Sequence, residues 1–192
     1  LAFSRRQMLA PRNVDLVRTL EQLQPLLRTT LGPAVRLTLD TPAGLWPCRV
    51  DPAQLENAVL NLVLNARDAL EGAGEVRLSL APRRITTPPR NPDLDAPPGD
   101  YAALTVADDG QGMDRETLEK ACEPFFTTKE PGRGTGLGLS MVFGFVRQSG
   151  GQIELESTPG EGNRVTMLLP RAAAGTGSAT GSKAESAASR AG

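Results

Sequence analysis

Asp51-Pro52 followed by AQLENAVLNLVLNARDAL constrains this chain more than any other feature. Asp supplies an N-cap acceptor and Pro fits the first helical turn, so the segment predicts a helix from Pro52 to about Glu71, stopping at Gly72. At about 100° per residue, Leu55, Val59, Leu62, Val63, Ala66 and Leu70 form a broad apolar stripe, and Asn61, Asn65 and Asp68 fall within roughly 60° of one another on a face some 130° away. One face is core; the other is amide and carboxylate. A polar face is ordinarily a solvated one, yet Asn is a poor residue for an exposed helix interior compared with Lys, Glu or Gln. Two Asn one turn apart point to amide oxygens acting as neutral ligands, of the kind a hard cation with phosphate partners accepts. On this helix alone both readings stand.

Around it the chain alternates helix and strand signals. A helix is expected from about Val14 to Leu31, then strands at Val35 to Leu39 and near Trp46 to Val50. Beyond the central helix come strands at Glu75 to Ala81 and Tyr101 to Asp108, a helix from about Thr135 to Ser149, and strands at Gln152 to Ser157 and Arg164 to Pro170. The total is three helices and five strands besides the short one near Trp46. The strands cluster as hairpin-like neighbours instead of following each helix, which predicts helices layered on one face of a mixed sheet: a two-layer α/β sandwich. Residues 82 to 100 hold six of the 16 prolines, with Ile85 and Leu94 as the large apolar residues, and read as an exposed loop between two strands. Ala172 to Gly192 contains no Val, Leu, Ile or aromatic residue and reads as a disordered tail or linker.

Composition narrows the chemistry. Hydrophobic residues make up 39% of 192, ordinary for one globular domain. Lys plus Arg total 21 against 22 Asp plus Glu, so no global field collects nucleic acid or an acidic membrane surface, and any anionic ligand must be held locally. The chain has no histidine, which removes Ser-His-Asp triads, His-ligated zinc, imidazole acid/base catalysis and any phosphohistidine on the chain itself. Cys48 and Cys122 are too few for a thiolate cage or a disulfide framework, which favours a reducing, cytoplasmic setting. No apolar run reaches membrane-spanning length, and a start at Leu1 instead of Met reads as a fragment of something longer.

Two further segments carry chemistry. In LTVADDGQGMD, Leu104, Val106 and Asp108 share one strand face, so the alternation that buries the first two aims a carboxylate inward at the strand's end. A buried carboxylate needs donors, which the amino group of an adenine would supply. Asp109-Gly110 is also an ordinary turn signal, but Gly110 and Gly112 so close together let backbone approach a flat ligand over Asp108. In EPFFTTKEPGRGTGLGLSMVFGFV, Gly132, Gly134, Gly136 and Gly138 lead into an apolar helix, whose first amides and positive dipole end form an anion site near Lys129 and Arg133. The spacing fits neither G-x-G-x-x-G nor GxxxxGK[ST]. Phe125 and Phe126 read as hydrophobic anchors of a mobile flap between Glu123 and Gly134.

Taken in this order, the three segments resemble the N, G1, F and G2 boxes of the catalytic, ATP-binding domain of sensor histidine kinases, within the Bergerat-fold ATPases. The resemblance covers about Val14 to Arg171 and is similar in pattern to PAS-type hybrid sensor kinases. It implies a mixed, largely antiparallel five-stranded sheet with three helices on one face. It divides the chain into the end of a dimerisation helix with its linker (1–12), the ATP-binding domain (13–171) and the tail (172–192). Asn65 would coordinate Mg²⁺ with Asn61 in support, Asp108 would accept from adenine N6, Gly110 and Gly112 would shape the base pocket, and Gly134, Gly136 and Gly138 would hold the phosphates. Met113, Phe125, Thr128, Lys129, Thr135, Leu137 and Leu139 complete the implied nucleotide-contacting set, and Asp68 joins it through the NAxDA form of the motif. Lys129 and Arg133 would act with Asn61 and Asn65 in catalysis.

The chemistry so implied is transfer of the γ-phosphoryl group of Mg²⁺-ATP to a histidine on a separate dimerisation hairpin, with a receiver domain or response regulator downstream and neither nucleic acid nor membrane as a partner. Lacking that histidine, the fragment should bind nucleotide without phosphorylating itself. Two alternatives use the same residues: a degenerate nucleotide-binding module that transfers nothing, and a hydrolytic ATPase of the gyrase and chaperone kind. The hydrolytic relatives place Glu where Asn61 stands, and an amide cannot activate water as a carboxylate does.

Overall fold

The computed structural model describes residues 8–123, 126 and 136–174. Alternation along the strands decides where the core lies. In the order β1 (Arg12–Val14), α1 (Leu16–Leu31), β2 (Val35–Asp40), β3 (Cys48–Val50), α2 (Pro52–Ala69), β4 (Gly74–Ile85), β5 (Gly99–Asp108), α3 (Arg115–Lys120), α4 (Gly138–Gln148), β6 (Gln152–Thr158) and β7 (Gly162–Pro170), five strands form one mixed sheet ordered β2-β4-β5-β7-β6. Only the β2–β4 pair is parallel. Val76, Leu78 and Leu80 of β4, Ala102, Leu104 and Val106 of β5, and Met167 and Leu169 of β7 share a single core with Leu16, Leu20 and Leu27 of α1, Leu55, Val59, Leu62 and Val63 of α2, and Val142, Phe145 and Val146 of α4. The expected two-layer sandwich, a mixed and largely antiparallel sheet with three helices, α1, α2 and α4, on one face, is what forms.

The boundaries differ in instructive ways. Helix α1 starts at Leu16 rather than Val14, because the Asp15 side chain accepts from Arg18 N at 3.1 Å and the residues before it pair with β3 as a separate two-stranded ribbon. The strand expected near Trp46 is therefore outside the main sheet. Helix α2 ends at Ala69, short of the expected Glu71, which takes φ +51. The expected loop from Pro82 to Asp100 is shorter, since β4 and β5 pair out to Ile85 and Gly99. Pro82 is tolerated there because β2 pairs no further than Ser79, so no neighbour on that side needs its missing N–H.

Residues 86–98 cover part of the sheet's second face, where Ala96 packs with Tyr101, Ala103 and Leu168. Ala96 N donates to Gln152 Oε1 at 2.9 Å and Tyr101 Oη to Pro97 O at 2.7 Å. At the far end of the domain, Ala172 N donates to Pro47 O at 2.8 Å and Arg171 stacks over Trp46 at 4.7 Å, so the chain is held as far as Ala172. Buried Cys48 donates to Leu169 O at 3.6 Å, and burial pushes its thiol up to about 12. Among the described residues no helix is long and apolar enough to cross a membrane.

Candidate nucleotide site

Three strands end their inward alternation in a polar residue at the same edge of the core. Leu104 and Val106 are followed by Asp108 on β5, Ile153 and Leu155 by Ser157 on β6, and Met167 and Val165 are preceded by Asn163 on β7. Register places them side by side, with Asp108 opposite Asn163 and Asn163 opposite Ser157. Asn163 Nδ2 donates to both Asp108 oxygens, at 3.1 Å to Oδ1 and 3.2 Å to Oδ2. Gly110 N at 2.9 Å and Asn163 N at 3.3 Å also donate to Oδ1. Burial pushes the Asp108 carboxyl above the usual carboxylate range, against the pull of these donors. The donors crowd Oδ1 and leave Oδ2 with acceptor capacity for an incoming amino group.

Beneath this carboxylate the glycine-rich turn is seated on the chain's own backbone. A Cβ on Gly110 would lie 2.4 Å from Ala69 O, and one on Gly112, whose φ is +67, would lie 2.0 Å from Thr158 O. Both glycines thus permit close approach of backbone to backbone, which lets Gln111 N reach Ala69 O at 3.0 Å and Gly160 N reach Gln111 O at 2.7 Å. Met113 N donates to Ser157 Oγ at 2.7 Å, tying the same turn to β6. Asp109 turns the other way, accepting from Glu75 N at 2.8 Å at the start of β4.

The polar face of α2 looks at the start of α4. An ideal Cβ on Gly138 would sit 3.8 Å from Asn65 Nδ2 and 3.9 Å from Asn61 Oδ1. Both asparagines are half-buried, and neither makes a side-chain hydrogen bond among the described residues. Leu137, the N-cap of α4, follows Gly136 at φ +66 and has no polar side chain with which to cap the helix. Among the described residues two amide side chains with hydrogen-bonding capacity to spare thus face a helix N-terminus, a set suited to a phosphate-bound hard cation. Among the described residues no group of three or more His, Cys, Asp or Glu could hold a metal, so a cation here would lean on these amides and on its ligand's phosphates.

The remaining expected residues distribute unevenly. Asp68 is exposed and accepts from the neighbouring Arg67 guanidinium at 3.1 Å. Leu139 packs, partly buried, against the main core. Phe125, Thr128, Lys129, Arg133, Gly134 and Thr135 lie outside the described residues, as does most of the flap expected from Glu123 to Gly134. Ser157 and Asn163 were not among the expected site residues. The signal that finds them is the one that found Asp108, an apolar alternation ending in a polar residue.

A mixed five-stranded sheet with its helices layered on one face is the Bergerat architecture. A family model for histidine kinase-, DNA gyrase B- and HSP90-like ATPases matches residues 50–173, and this chain belongs to that family. Its curated relatives include sensor kinases. It is 43% identical over 171 residues to the sensor kinase CckA of Brucella abortus, covering 89% of this chain and 18% of that protein. It is 36% identical over 149 residues to the sensor histidine kinase ZraS of Klebsiella oxytoca, covering 77% and 29%. The chain thus spans less than a third of the length of these curated relatives. Among solved structures, full-length ShkA in complex with AMPPNP superposes with a TM-score of 0.66 at 23% identity, over 87% of this chain and 33% of that one. The mycobacterial sensor histidine kinase MprB does so at 0.63 and 23%, over 83% and 98%. The domain is homologous to the ATP-binding catalytic modules of sensor histidine kinases.

Proposed function

We propose that this chain is the catalytic domain of a two-component sensor histidine kinase, which binds Mg²⁺-ATP and passes its γ-phosphoryl group to a histidine on a separate helical hairpin. The observation that carries the reading is the facing of Asn61 and Asn65, unpartnered among the described residues, toward Gly138 at the start of α4. Asp108 Oδ2 would accept from the purine amino group, and Asn65 with Asn61 would hold the cation and orient the phosphates toward the α4 amides. The cation supplies charge neutralisation of the phosphate oxygens. Lys129 and Arg133 are proposed to stabilise charge on the transferring group. The nucleophile is an imidazole nitrogen from outside this chain: it forms the new N–P bond as the bond from the γ-phosphorus to the bridging oxygen breaks, and ADP leaves.

Residues 13–171 are proposed as the catalytic unit, with 1–12 leading in from the dimerisation helix, 172–192 leading out, and a receiver domain or response regulator as the downstream acceptor. The test supplies Mg²⁺ and γ-labelled ATP to a separately produced histidine hairpin, with and without this chain. Acid-labile label on the hairpin only when the chain is present supports the reading. Tight ADP binding with no label transferred would refute kinase activity and leave a nucleotide-binding module. Steady phosphate release without a hairpin would favour the hydrolytic reading, against which the amide at Asn61 argues.

A further inference from the structure

Asp108 does not stand alone, and what stands behind it fixes its polarity. Ser157 Oγ accepts a backbone N–H from Met113 at 2.7 Å, so its single proton is free for Asn163 Oδ1 at 2.8 Å or Gly162 O at 3.2 Å. When that proton goes to Asn163 Oδ1, the amide presents its NH₂ to Asp108. The reverse amide orientation would set a carbonyl oxygen about 3 Å from both carboxylate oxygens, which is repulsive unless Asp108 carries a proton. The hydroxyl of Ser157 and the ionised state of Asp108 therefore select the same orientation.

We propose that Ser157 and Asn163 are positioning residues that hold Asp108 as a pure acceptor, and that this relay makes the base pocket choose a purine with a 6-amino group over one with a 6-oxo group. The inference rests on the nucleotide-binding reading above and adds its specificity device. Oδ1 is filled by Gly110 N, Asn163 N and Asn163 Nδ2, so the remaining acceptor capacity lies on Oδ2. A 6-amino group can donate to it, whereas a 6-oxo group would bring acceptor against acceptor. The relay also reaches the glycine turn, because the Met113 amide that seats Ser157 belongs to the loop leaving Asp108.

The experiment measures ADP and IDP affinity by calorimetry in Mg²⁺ for the chain as it stands and for Ser157→Ala, Ser157→Thr and Asn163→Asp. The parent should prefer ADP. Ser157→Ala should lose roughly tenfold in ADP affinity with IDP little changed, narrowing the ratio, and Ser157→Thr, which keeps the hydroxyl, should restore it. Asn163→Asp places a second carboxylate against Asp108, so one proton is shared between them; ADP should weaken by tenfold or more while IDP does not weaken. This variant keeps the test decisive if Ser157→Ala fails to fold. A merely structural role would weaken both nucleotides together, and that outcome, or an unchanged ratio in Ser157→Ala, would overturn the proposal. A parent that binds ADP and IDP equally would overturn it while sparing the nucleotide-binding reading, and a parent that binds neither would overturn both.

Discussion

Asp51 joins two jobs that can be separated by substitution. Its Oδ1 caps α2 by accepting from Ala53 N at 3.0 Å and Gln54 N at 3.1 Å, while Oδ2 accepts from Ala10 N at 2.9 Å and ties the entering chain to the helix that carries Asn61 and Asn65. Asn is as good an N-cap as Asp, but once its oxygen turns to the cap its NH₂ faces the Ala10 N–H, donor against donor. Asp51→Asn should therefore lose the tether alone, about 1.5 kcal/mol for one charge-assisted bond, and Asp51→Ala should lose about 1 kcal/mol more with the cap. For a domain of this size each kcal/mol moves Tm by about 2–4 °C, so the expected falls are about 3–6 °C and 5–10 °C. The Ala10 N–H, first among its donors, holds the Asp51 carboxyl below its ordinary value. Its contribution is accordingly complete above the unfolded pKa of about 3.9 and is lost as pH falls through the folded one. Thermal scans of the three proteins from pH 7 down to the acid limit test this. Equal Tm values for parent and Asp51→Asn at pH 7, or a gap between parent and Asp51→Ala that does not shrink in acid, would refute the assignment.

Three other substitutions bear on the site. Asp108→Asn replaces an acceptor with a partial donor and should weaken ADP by about ten- to a hundredfold in calorimetry, the worth of one hydrogen bond to a charged group; parental affinity would disprove the base-pocket assignment. Asn65→Ala should chiefly remove the Mg²⁺ dependence of binding, so titrations with and without Mg²⁺ should converge. Gly110→Ala brings a methyl to 2.4 Å from Ala69 O and 2.9 Å from Asp108 Oδ1, so stability should fall by about 1–3 kcal/mol in urea unfolding and ADP affinity should fall with it.

The elements legible in the sequence are those whose periodicity runs long enough to declare itself. Helix α2 announces its start through Asp51-Pro52 and its buried face through a stripe of six apolar residues, all of which are buried. The three-residue strand β1 has no period to read and exists because it pairs with β3, a strand expected near Trp46 to Val50 but without its partner. Helix α3 is RETLEK, six residues with none buried, so no apolar stripe marks it; its one local signal is Asp114, whose side chain accepts from Thr117 N at 2.8 Å. Pro82 demotes the second half of β4 in any local reading, and only the early end of β2 reveals that the position is permissive. Asn163 is hidden for a related reason. The apolar alternation of β7 reads from Arg164 onward, one residue past the side chain opposite Asp108.

Glycines pose the harder problem, because sequence reports that a close approach is needed without reporting to what. Gly110 and Gly112 looked like room for a ligand, and the approach they permit is to Ala69 and Thr158, residues distant in sequence. Gly138 is the reverse case. The nearest described atoms a Cβ there would meet are the Asn65 and Asn61 amides at 3.8–3.9 Å, an ordinary contact, and its φ is not among the positive ones. Among the described residues nothing therefore requires glycine at this position, and Ala is the better helix former by up to about 1 kcal/mol. Gly138→Ala should raise or preserve Tm while its methyl occupies the gap between the α4 start and the asparagine pair, where phosphate would lie, so Mg²⁺-ADP affinity should drop by tenfold or more. Thermal unfolding and calorimetry on the same sample read the two effects. Opposite signs identify a glycine kept for its ligand; a fall in both would mean that packing alone demands it, and undiminished affinity would remove the phosphates from the start of α4.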